Sequence, residues 1–350
     1  MGSQHSSSSL LANGLRPTVT TAVWTYVVII FAISWLVWIS ALALGARPGT
    51  GEETLAFGAA GPAVAAVFLS RNGRKVPRVR LGVRLRWFAL LWLLCWVVYV
   101  IGDRMRGARP TLSLRFGLVV ALLAAIPAWI CSGAFWADAG VRKLLQTLVV
   151  PGNWRWQAVA FFSFPALLLI PAAIARLLGI PVVMPSVNGS VWSFVALGAL
   201  TFFRNLFFTA VLEEPGWRGF LLPHLQLRFS PLTATLLVWF LWALWHVPLD
   251  FSGPVGRTWL SYLQIRVVFF IPIAVVLTWI YNRSGGNILS IAIFHAAFNT
   301  FPFFLPYAPL MLSLLFVWAA YVVIRNRMWQ CDGRQHLLAR SFMNGRDSGR

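Results

Sequence analysis

The chain has 350 residues, of which 59% are hydrophobic and only 11% are charged. Soluble domains carry about 25% charged residues. A mean hydropathy of +0.74, with 19 Trp and 27 Phe, indicates that much of the apolar surface faces lipid. This composition excludes a soluble enzyme, a disordered chain, a disulfide-stapled secreted domain and a nucleic-acid-binding module.

Ten apolar runs follow one another along the chain. Crossing a bilayer takes about 20 mostly apolar residues, and the runs approach this length. We therefore predict an all-α fold, a polytopic transmembrane helical bundle of eight to ten spans. The runs lie near 22–44, 55–69, 87–101, 116–136, 158–178, 191–211, 231–249, 263–282, 287–304 and 307–324. They divide the chain into a polar N-terminal segment (1–20), one transmembrane bundle (21–324) and a basic tail (325–350).

The net charge of +20 comes from 29 basic and 9 acidic residues, and the basic residues predict the orientation in the cell membrane. Lys and Arg concentrate in cytoplasmic loops, where they face anionic lipid headgroups. With ten spans, the basic segments 70–86 and 325–350 lie on the side of the N-terminus, so both termini are predicted to be cytoplasmic. That side carries 20 basic residues and the external side 8. Arg104, Arg106, Arg109 and Arg115 oppose this assignment.

Two adjacent acids, Glu213 and Glu214, close the sixth apolar run. An ionised carboxylate at the centre of a bilayer costs about 2.5–3.5 kcal/mol even on insertion scales. A position at the water interface is one explanation, with Glu214 paired to Arg218 four residues later on the same helix face. That pairing leaves Glu213 without a role. Pro215 follows directly and is expected to kink or start a helix.

Three histidines lie in or beside the apolar runs. His224 is expected to be a solvated interfacial residue. His246 and His295 lie within the seventh and ninth runs, and Asn299 shares a helix face with His295. Polar groups in a membrane interior face the bundle or a wet cavity. We therefore expect Glu213, His246, His295 and Asn299 to converge inside the bundle.

Such a group has two chemistries open to it. A carboxylate and an imidazole that bracket one water can remove its proton as it attacks a carbonyl, while a second imidazole and a carboxamide donate to the oxyanion. Alternatively, Glu213, His246 and His295 form a ligand set for Zn²⁺ with an open position for water. Both arrangements hydrolyse amides. The chain contains neither HExxH nor GxSxG, which disfavours zincin and serine-hydrolase mechanisms.

Three segments resemble the motifs of the CPBP intramembrane proteases, the family that includes CAAX prenyl endopeptidases and ABI-type bacterial proteins. EExxxR matches Glu213 to Arg218, and HxxxN matches His295 to Asn299. FxxxH matches at His246 but has Trp242 in place of Phe, which keeps aromatic bulk. The stretch 58–63 (Gly-Ala-Ala-Gly-Pro-Ala) looks like the family's upstream half, and the protease-like core covers about 190–305.

The resemblance implies a role for each matched residue. Glu213 and His246 would activate the water, and His295 and Asn299 would stabilise the oxyanion. Glu214 and Arg218 would hold the motif helix in place. Family members are classed as metallopeptidases, and a metal-free glutamate mechanism has also been argued for them, so bound Zn²⁺ stays open. Trp239, Trp242 and Trp245 are expected to be packing and interface anchors.

The sequence thus predicts an intramembrane endopeptidase of the CAAX type. Its partners would be membrane lipids and a membrane-associated or lipid-modified polypeptide, and no nucleic acid. The predicted orientation puts Glu213 toward the cytoplasmic side, where a prenyl endopeptidase of this type would take its substrates. The rival hypothesis is a non-catalytic membrane protein of the same fold, namely an immunity protein, a scaffold or a carrier.

Overall fold

The computed structural model describes residues 5–46, 52–77, 79–107, 113–186, 189–251 and 258–331, without the side chains of 5–18. These residues form helices and no strand, with two isolated antiparallel bridges. In chain order the helices are α1 (His5–Ala43), α2 (Glu52–Leu69), α3 (Leu81–Met105), α4 (Leu114–Phe135), α5 (Ala139–Val149), α6 (Trp154–Leu177), α7 (Val191–Gln226), α8 (Pro231–Trp245), α9 (Trp259–Arg283), α10 (Ile288–Phe303) and α11 (Leu310–Arg325). The predicted all-α transmembrane bundle is confirmed.

Within the described residues, seven helices are long and apolar enough to cross a membrane: α1 from Val19 onward, α2, α3, α4, α6, α7 and α9. Three predicted spans, 231–249, 287–304 and 307–324, correspond to the shorter apolar helices α8, α10 and α11. Proline limits them, because it lacks the N–H that continues a helix. Pro248 follows α8, Pro302 lies in the last turn of α10, and Pro309 precedes α11.

Two predicted bounds are wrong, because polar residues extend helices that hydropathy alone ends early. The run 87–101 is part of α3, which begins at Leu81 and includes Arg84 and Arg86 in its first turns. The sixth run, 191–211, continues to Gln226 as one helical segment. In both cases the added turns carry charge or proline and so fall outside a window of apolar residues.

Side-chain caps define where several helices begin. Ser113 Oγ accepts a hydrogen bond from the Phe116 amide at 3.1 Å, and Ser230 Oγ accepts one from Thr233 at 3.3 Å. Asn287 Oδ1 caps α10 through the Ser290 amide at 2.9 Å. Each cap satisfies one of the N–H groups that a helix leaves without an internal partner.

The helix ends lie on two faces of the bundle. On one face, the Val76 amide donates to the Ala137 carbonyl at 2.8 Å and Asn287 donates to the Val150 carbonyl at 2.9 Å. We call this the basic face. It holds the ends of α2, α7, α9 and α11 and the starts of α3, α6, α8 and α10. The opposite face holds the starts of α2, α7 and α9 and the ends of α3, α8 and α10.

Close backbone approach joins α7 to α2. A Cβ on Gly216 would lie 2.5 Å from the Pro62 carbonyl group and would also overlap the Tyr26 hydroxyl. A Cβ on Gly58 or Gly61 would overlap Trp38 or Ser34 of α1. The small residues 58–63 therefore allow α2 to pack tightly between α1 and the helix that carries Glu213 and Glu214.

Candidate active site

Glu213 and Glu214 lie in the interior of α7 rather than at its end. Two π-helical turns, Leu206–Ala210 and Trp217–Leu221, flank them. Pro215 neither ends nor starts the helix, because wider turns of this kind accommodate the missing N–H. The side chains of Glu213 and Glu214 are 3% and 0% exposed. The interface position considered for the acid pair is therefore wrong, and both carboxylates are buried in protein.

Glu214 pairs with Arg218, as the i, i+4 spacing predicted. The Arg218 Nη1 group lies 3.0 Å and 3.2 Å from the two carboxylate oxygens. His295 Nδ1 lies 2.5 Å from Glu214 Oε1. Glu214 therefore joins the motif helix α7 to α10, a link that spacing along one helix cannot reveal.

Arg218 is 1% exposed, and its guanidinium lies over the Trp242 ring at 4.6 Å from the ring centroid. Its Nε and Nη2 atoms have no hydrogen-bond partner among the residues that the structure describes. A cation over the face of an indole is attracted by the ring quadrupole. The Trp242 ring thus stabilises the buried positive charge of Arg218, which the Glu214 carboxylate neutralises.

Trp242 also holds the other acid of the pair. Its Nε1–H donates a hydrogen bond to Glu213 Oε2 at 2.8 Å. The indole is 1% exposed and stacks on Phe270, with ring centroids 4.3 Å apart. The prediction that Trp242 keeps aromatic bulk is therefore incomplete. Phenylalanine has no side-chain N–H that could donate this hydrogen bond. The replacement of the motif's Phe by Trp242 is the sequence feature from which the bond could have been predicted.

His246 lies directly after the last residue of α8. Its Nδ1 lies 2.7 Å from the Trp242 carbonyl oxygen, which can only accept, so Nδ1 carries the proton. The Nδ1 atom of His295 faces the Glu214 carboxylate, so it also carries a proton. The Trp242 ring contacts both imidazoles, with centroid distances of 5.8 Å to His246 and 5.6 Å to His295.

A cavity of about 1000 Å³ brings the four candidate residues together. Glu213, His246, His295 and Asn299 all line it, with Trp242 beside them. They come from α7, from α10 and from the residue that follows α8. All four expected residues therefore line one cavity, and their catalytic roles stay a prediction.

Two ion pairs line or flank the cavity nearer the opposite face. Glu52 Oε2 lies 2.7 Å from Arg204 Nη2, which also contacts the Tyr99 hydroxyl at 3.2 Å. Asp250 accepts two hydrogen bonds from Arg266, at 2.6 Å and 3.0 Å. Sequence reasoning missed both pairs. The signal was an arginine inside an apolar run, which requires a carboxylate partner.

The donor types of Glu213, His246 and His295 suit Zn²⁺, but their positions do not. Over the described ranges, no three His, Cys, Asp or Glu side chains come close enough together to hold one metal ion. Glu213 faces the cavity from α7, His295 from α10 and His246 from the residue after α8, and the Trp242 indole contacts both imidazole rings. As arranged, these side chains do not form the ligand cage considered from the sequence.

His224 and two of the tryptophans lie in other surroundings than the sequence predicted. His224 is 7% exposed, packs against the Phe220 ring and contacts the Phe220 carbonyl at 2.6 Å, so it is not solvated. Trp242 and Trp245 are buried beside the cavity and are not interface anchors. Glu213 lies 13 residues, about 20 Å, from the end of α7 at the basic face and 22 residues from its start, so its predicted place toward the cytoplasmic side stays a prediction. The polar residues Glu52, Asp250 and Thr258, which also line its cavity, lie at helix ends of the opposite face.

Two comparisons with known proteins address the same region. Residues 193–301 match the family model described as type II CAAX prenyl endopeptidase Rce1-like. The chain is also 28% identical over 169 residues to CAAX prenyl protease 2 of Methanococcus maripaludis. That alignment covers 45% of this chain and 56% of the relative, so the chain spans little more than half the length of the curated protein it matches. Over residues 193–301, which hold the three motifs, the chain is therefore similar to the type II CAAX prenyl endopeptidases.

Proposed function

We propose that this protein is a membrane-embedded endopeptidase that hydrolyses a peptide bond in a membrane-associated polypeptide. The observation that carries the proposal is the convergence of Glu213, His246, His295 and Asn299 on one cavity. The family model and the archaeal relative support it, since both descriptions name CAAX prenyl proteases. A lipid-modified polypeptide, a prenylated one included, is the substrate class to test first.

The attacking water is activated by Glu213 and His246. Trp242 donates to one carboxylate oxygen of Glu213, which leaves Oε1 to accept a proton from water. The proton on His246 Nδ1 puts the lone pair on Nε2, where it can orient the same water. General acid–base catalysis of this kind contributes about 10²–10⁴-fold to a rate.

The oxyanion formed by that attack is stabilised by His295 and Asn299. To donate from Nε2, His295 carries a second proton, and the Glu214 carboxylate on Nδ1 balances the charge of that imidazolium. Asn299, one turn later on the same helix, donates from its carboxamide. Before the attack, the negative charges of Glu213 and Glu214 balance the positive charges of Arg218 and His295, so the buried site has no net charge.

Collapse of the tetrahedral intermediate breaks the C–N bond. The proton that Glu213 took from the water passes to the leaving amine, so Glu213 acts first as a base and then as an acid. The products are a carboxylate and a free amine. Among the described residues, the predicted ligands Glu213, His246 and His295 do not meet at one point, so these steps use protein groups and water.

The proposal is tested with purified protein in liposomes and an internally quenched, prenylated peptide. We expect Glu213→Ala, His246→Ala and His295→Ala each to reduce cleavage at least 10²-fold, and Asn299→Ala to act mainly on kcat. The matched control is His224→Asn, which removes a buried imidazole that does not line the cavity, and we expect it to cleave normally. Undiminished cleavage by all three alanine variants of Glu213, His246 and His295 would refute the proposal. Solute transport by the reconstituted protein, without cleavage of any peptide, would favour the carrier hypothesis instead.

A further inference from the structure

The connection between α2 and α3 concentrates positive charge at the basic face. Residues 71–86, which run from this connection into the first turns of α3, hold seven Lys and Arg and no acid. Helices α2 and α3 are both long and apolar enough to cross a membrane, so the chain that joins them lies at a membrane boundary. This charge is therefore at the depth of the lipid headgroups.

Three guanidinium groups meet around one indole of this region. The Arg71 guanidinium carbon lies 5.9 Å from the centroid of the Trp136 ring and 4.8 Å from that of Phe68. The Arg84 guanidinium carbon also lies 5.9 Å from the Trp136 centroid. Arg142 Nε donates to the Trp136 backbone carbonyl at 2.7 Å. Like charges repel one another, so this arrangement favours an anion among the three arginines.

The protein itself supplies no such anion among the residues that the structure describes. No Asp or Glu there forms an ion pair with any of the three arginines. Asp138 accepts backbone N–H groups instead, from Gly140 and Val141 through Oδ1 and from Gly73 through Oδ2, at 3.0 to 3.1 Å. The Nε atom of Arg84 is buried and has no hydrogen-bond partner in the described ranges. The three arginines thus keep unused positive charge and at least one unused donor.

The start of α3 adds to this positive potential. Arg80 occupies the N-cap position without a side-chain cap, and the first turn contains no acid. The N-terminus of a helix carries partial positive charge and unpaired N–H groups, which favour phosphate. Arg84 belongs to that first turn. Arginine in particular binds phosphate through two parallel hydrogen bonds.

Apolar side chains face outward beside the arginines. Leu81 and Leu85, one turn apart on α3, are 65% and 57% exposed, and Phe68 and Trp87 are about half exposed. In a helix that crosses a membrane, such side chains contact acyl chains. A soluble phosphate ion would use none of this apolar surface, whereas a phospholipid would use both the cationic and the apolar parts. The surroundings therefore favour a lipid phosphate over a free one.

We propose that Arg71, Arg84 and Arg142 form a binding site for the phosphate of an anionic phospholipid. Arg71 and Arg84 bind the phosphate oxygens. Arg142, which backbone carbonyls hold in place, adds positive charge. The acyl chains lie along Leu81 and Leu85. None of these residues lines the cavity that contains the candidate active site, so the lipid site does not rest on the proposed function.

The site is tested by native mass spectrometry of the full chain in detergent, which requires neither peptide nor activity. The protein is incubated with equal amounts of phosphatidylglycerol and phosphatidylcholine that have the same acyl chains. The test variant is Arg71→Gln/Arg84→Gln. The matched control is Arg155→Gln/Arg325→Gln, which removes two exposed charges from other helix ends of the basic face.

We expect the wild-type protein and the control to retain one phosphatidylglycerol, and the test variant to retain at least about 10-fold less. Equal loss in both double variants would show attraction by the whole face and would overturn the site. Retention of phosphatidylcholine as strong as that of phosphatidylglycerol would overturn it too.

Two further measurements cover folding and the source of the phosphate. Arg71→Gln changes only an exposed side chain, and we expect it alone to weaken phosphatidylglycerol retention while the unfolding temperature without lipid stays at the wild-type value. Retention by Arg71→Gln equal to that of the wild-type protein would contradict the site. We expect phosphatidylglycerol to raise the unfolding temperature of the wild-type protein and inorganic phosphate to leave it unchanged. An equal rise with inorganic phosphate would contradict a lipid ligand.

Discussion

The indole N–H of Trp242 donates to Glu213 Oε2 at 2.8 Å, across the gap between α8 and α7. The family motif has phenylalanine at this position, so the chain has gained a donor to its candidate base. A hydrogen bond to a charged group contributes about 1.5–3 kcal/mol. We therefore propose that Trp242 is a positioning residue, which fixes the oxygen of Glu213 that would face the water.

Trp242→Phe tests this role, because Phe keeps the stack on Phe270 and removes only the N–H. We expect kcat to fall about 10- to 100-fold with KM little changed. A change in KM alone, or an unchanged kcat, would show that the indole only fills space. Trp239→Phe is the control, since its N–H donates to the Arg266 carbonyl away from Glu213.

The buried pair of Glu214 and Arg218 makes a different prediction. Removing one partner leaves an uncompensated buried charge, and such changes cost about 3–5 kcal/mol. We expect Glu214→Leu and Arg218→Met each to lower the thermal unfolding temperature in detergent. The double variant should recover much of that stability, because apolar replacement of both charges is often neutral.

Activity separates the two roles of Glu214. The double variant should still be inactive, because His295 has lost the carboxylate that orients it and balances its charge. Stability and cleavage that recover together in the double variant would contradict a role of Glu214 in catalysis. A purely structural ion pair would not produce a double variant that regains stability but stays inactive.

Gly216 is predicted to be intolerant of a side chain. A Cβ there would lie 2.5 Å from the Pro62 carbonyl, between α7 and α2. Overpacking of this kind costs about 1–3 kcal/mol and displaces the neighbouring acids. We expect Gly216→Ala to unfold at a lower temperature and to lose activity.

Gly117→Ala is the matched control, since nothing lies within 4 Å of a Cβ at that helical position. It should be neutral or stabilising by up to about 1 kcal/mol. Equal stability of the Gly216 and Gly117 variants would contradict the packing account of the segment 58–63.

Metal chemistry gives a fourth prediction. Because Glu213, His246 and His295 do not form a three-ligand group, we expect cleavage to persist after dialysis against 1,10-phenanthroline. The metal content of active protein, measured by mass spectrometry, should fall well below one ion per chain. Loss of cleavage that Zn²⁺ restores would contradict the metal-free account.

Hydropathy was enough for the fold class, and motif spacing indicated four of the residues that line the cavity. They also predicted the contact between Glu214 and Arg218, because both lie on one helix. They could not predict the contacts of Trp242 with Glu213 or of His295 with Glu214. Those contacts join different helices, and their partners are set by packing.

The sequence also mislocated the end of the motif helix. A hydropathy window ends at the two acids, whereas α7 continues to Gln226 through a π-helical turn. The depth of Glu213 and the direction in which its cavity opens depend on those added turns. The predicted orientation of the termini and the expected cytoplasmic access to Glu213 stay predictions.

The central claim is that Glu213 takes a proton from the attacking water. Glu213→Gln tests it most directly, because glutamine keeps the shape and can still accept the Trp242 hydrogen bond but cannot act as a base. The measurement is single-turnover cleavage of the quenched prenylated peptide in liposomes. We predict a rate at least about 10³-fold below that of the wild-type protein, with peptide binding unchanged. Cleavage by Glu213→Gln at the wild-type rate would contradict the account.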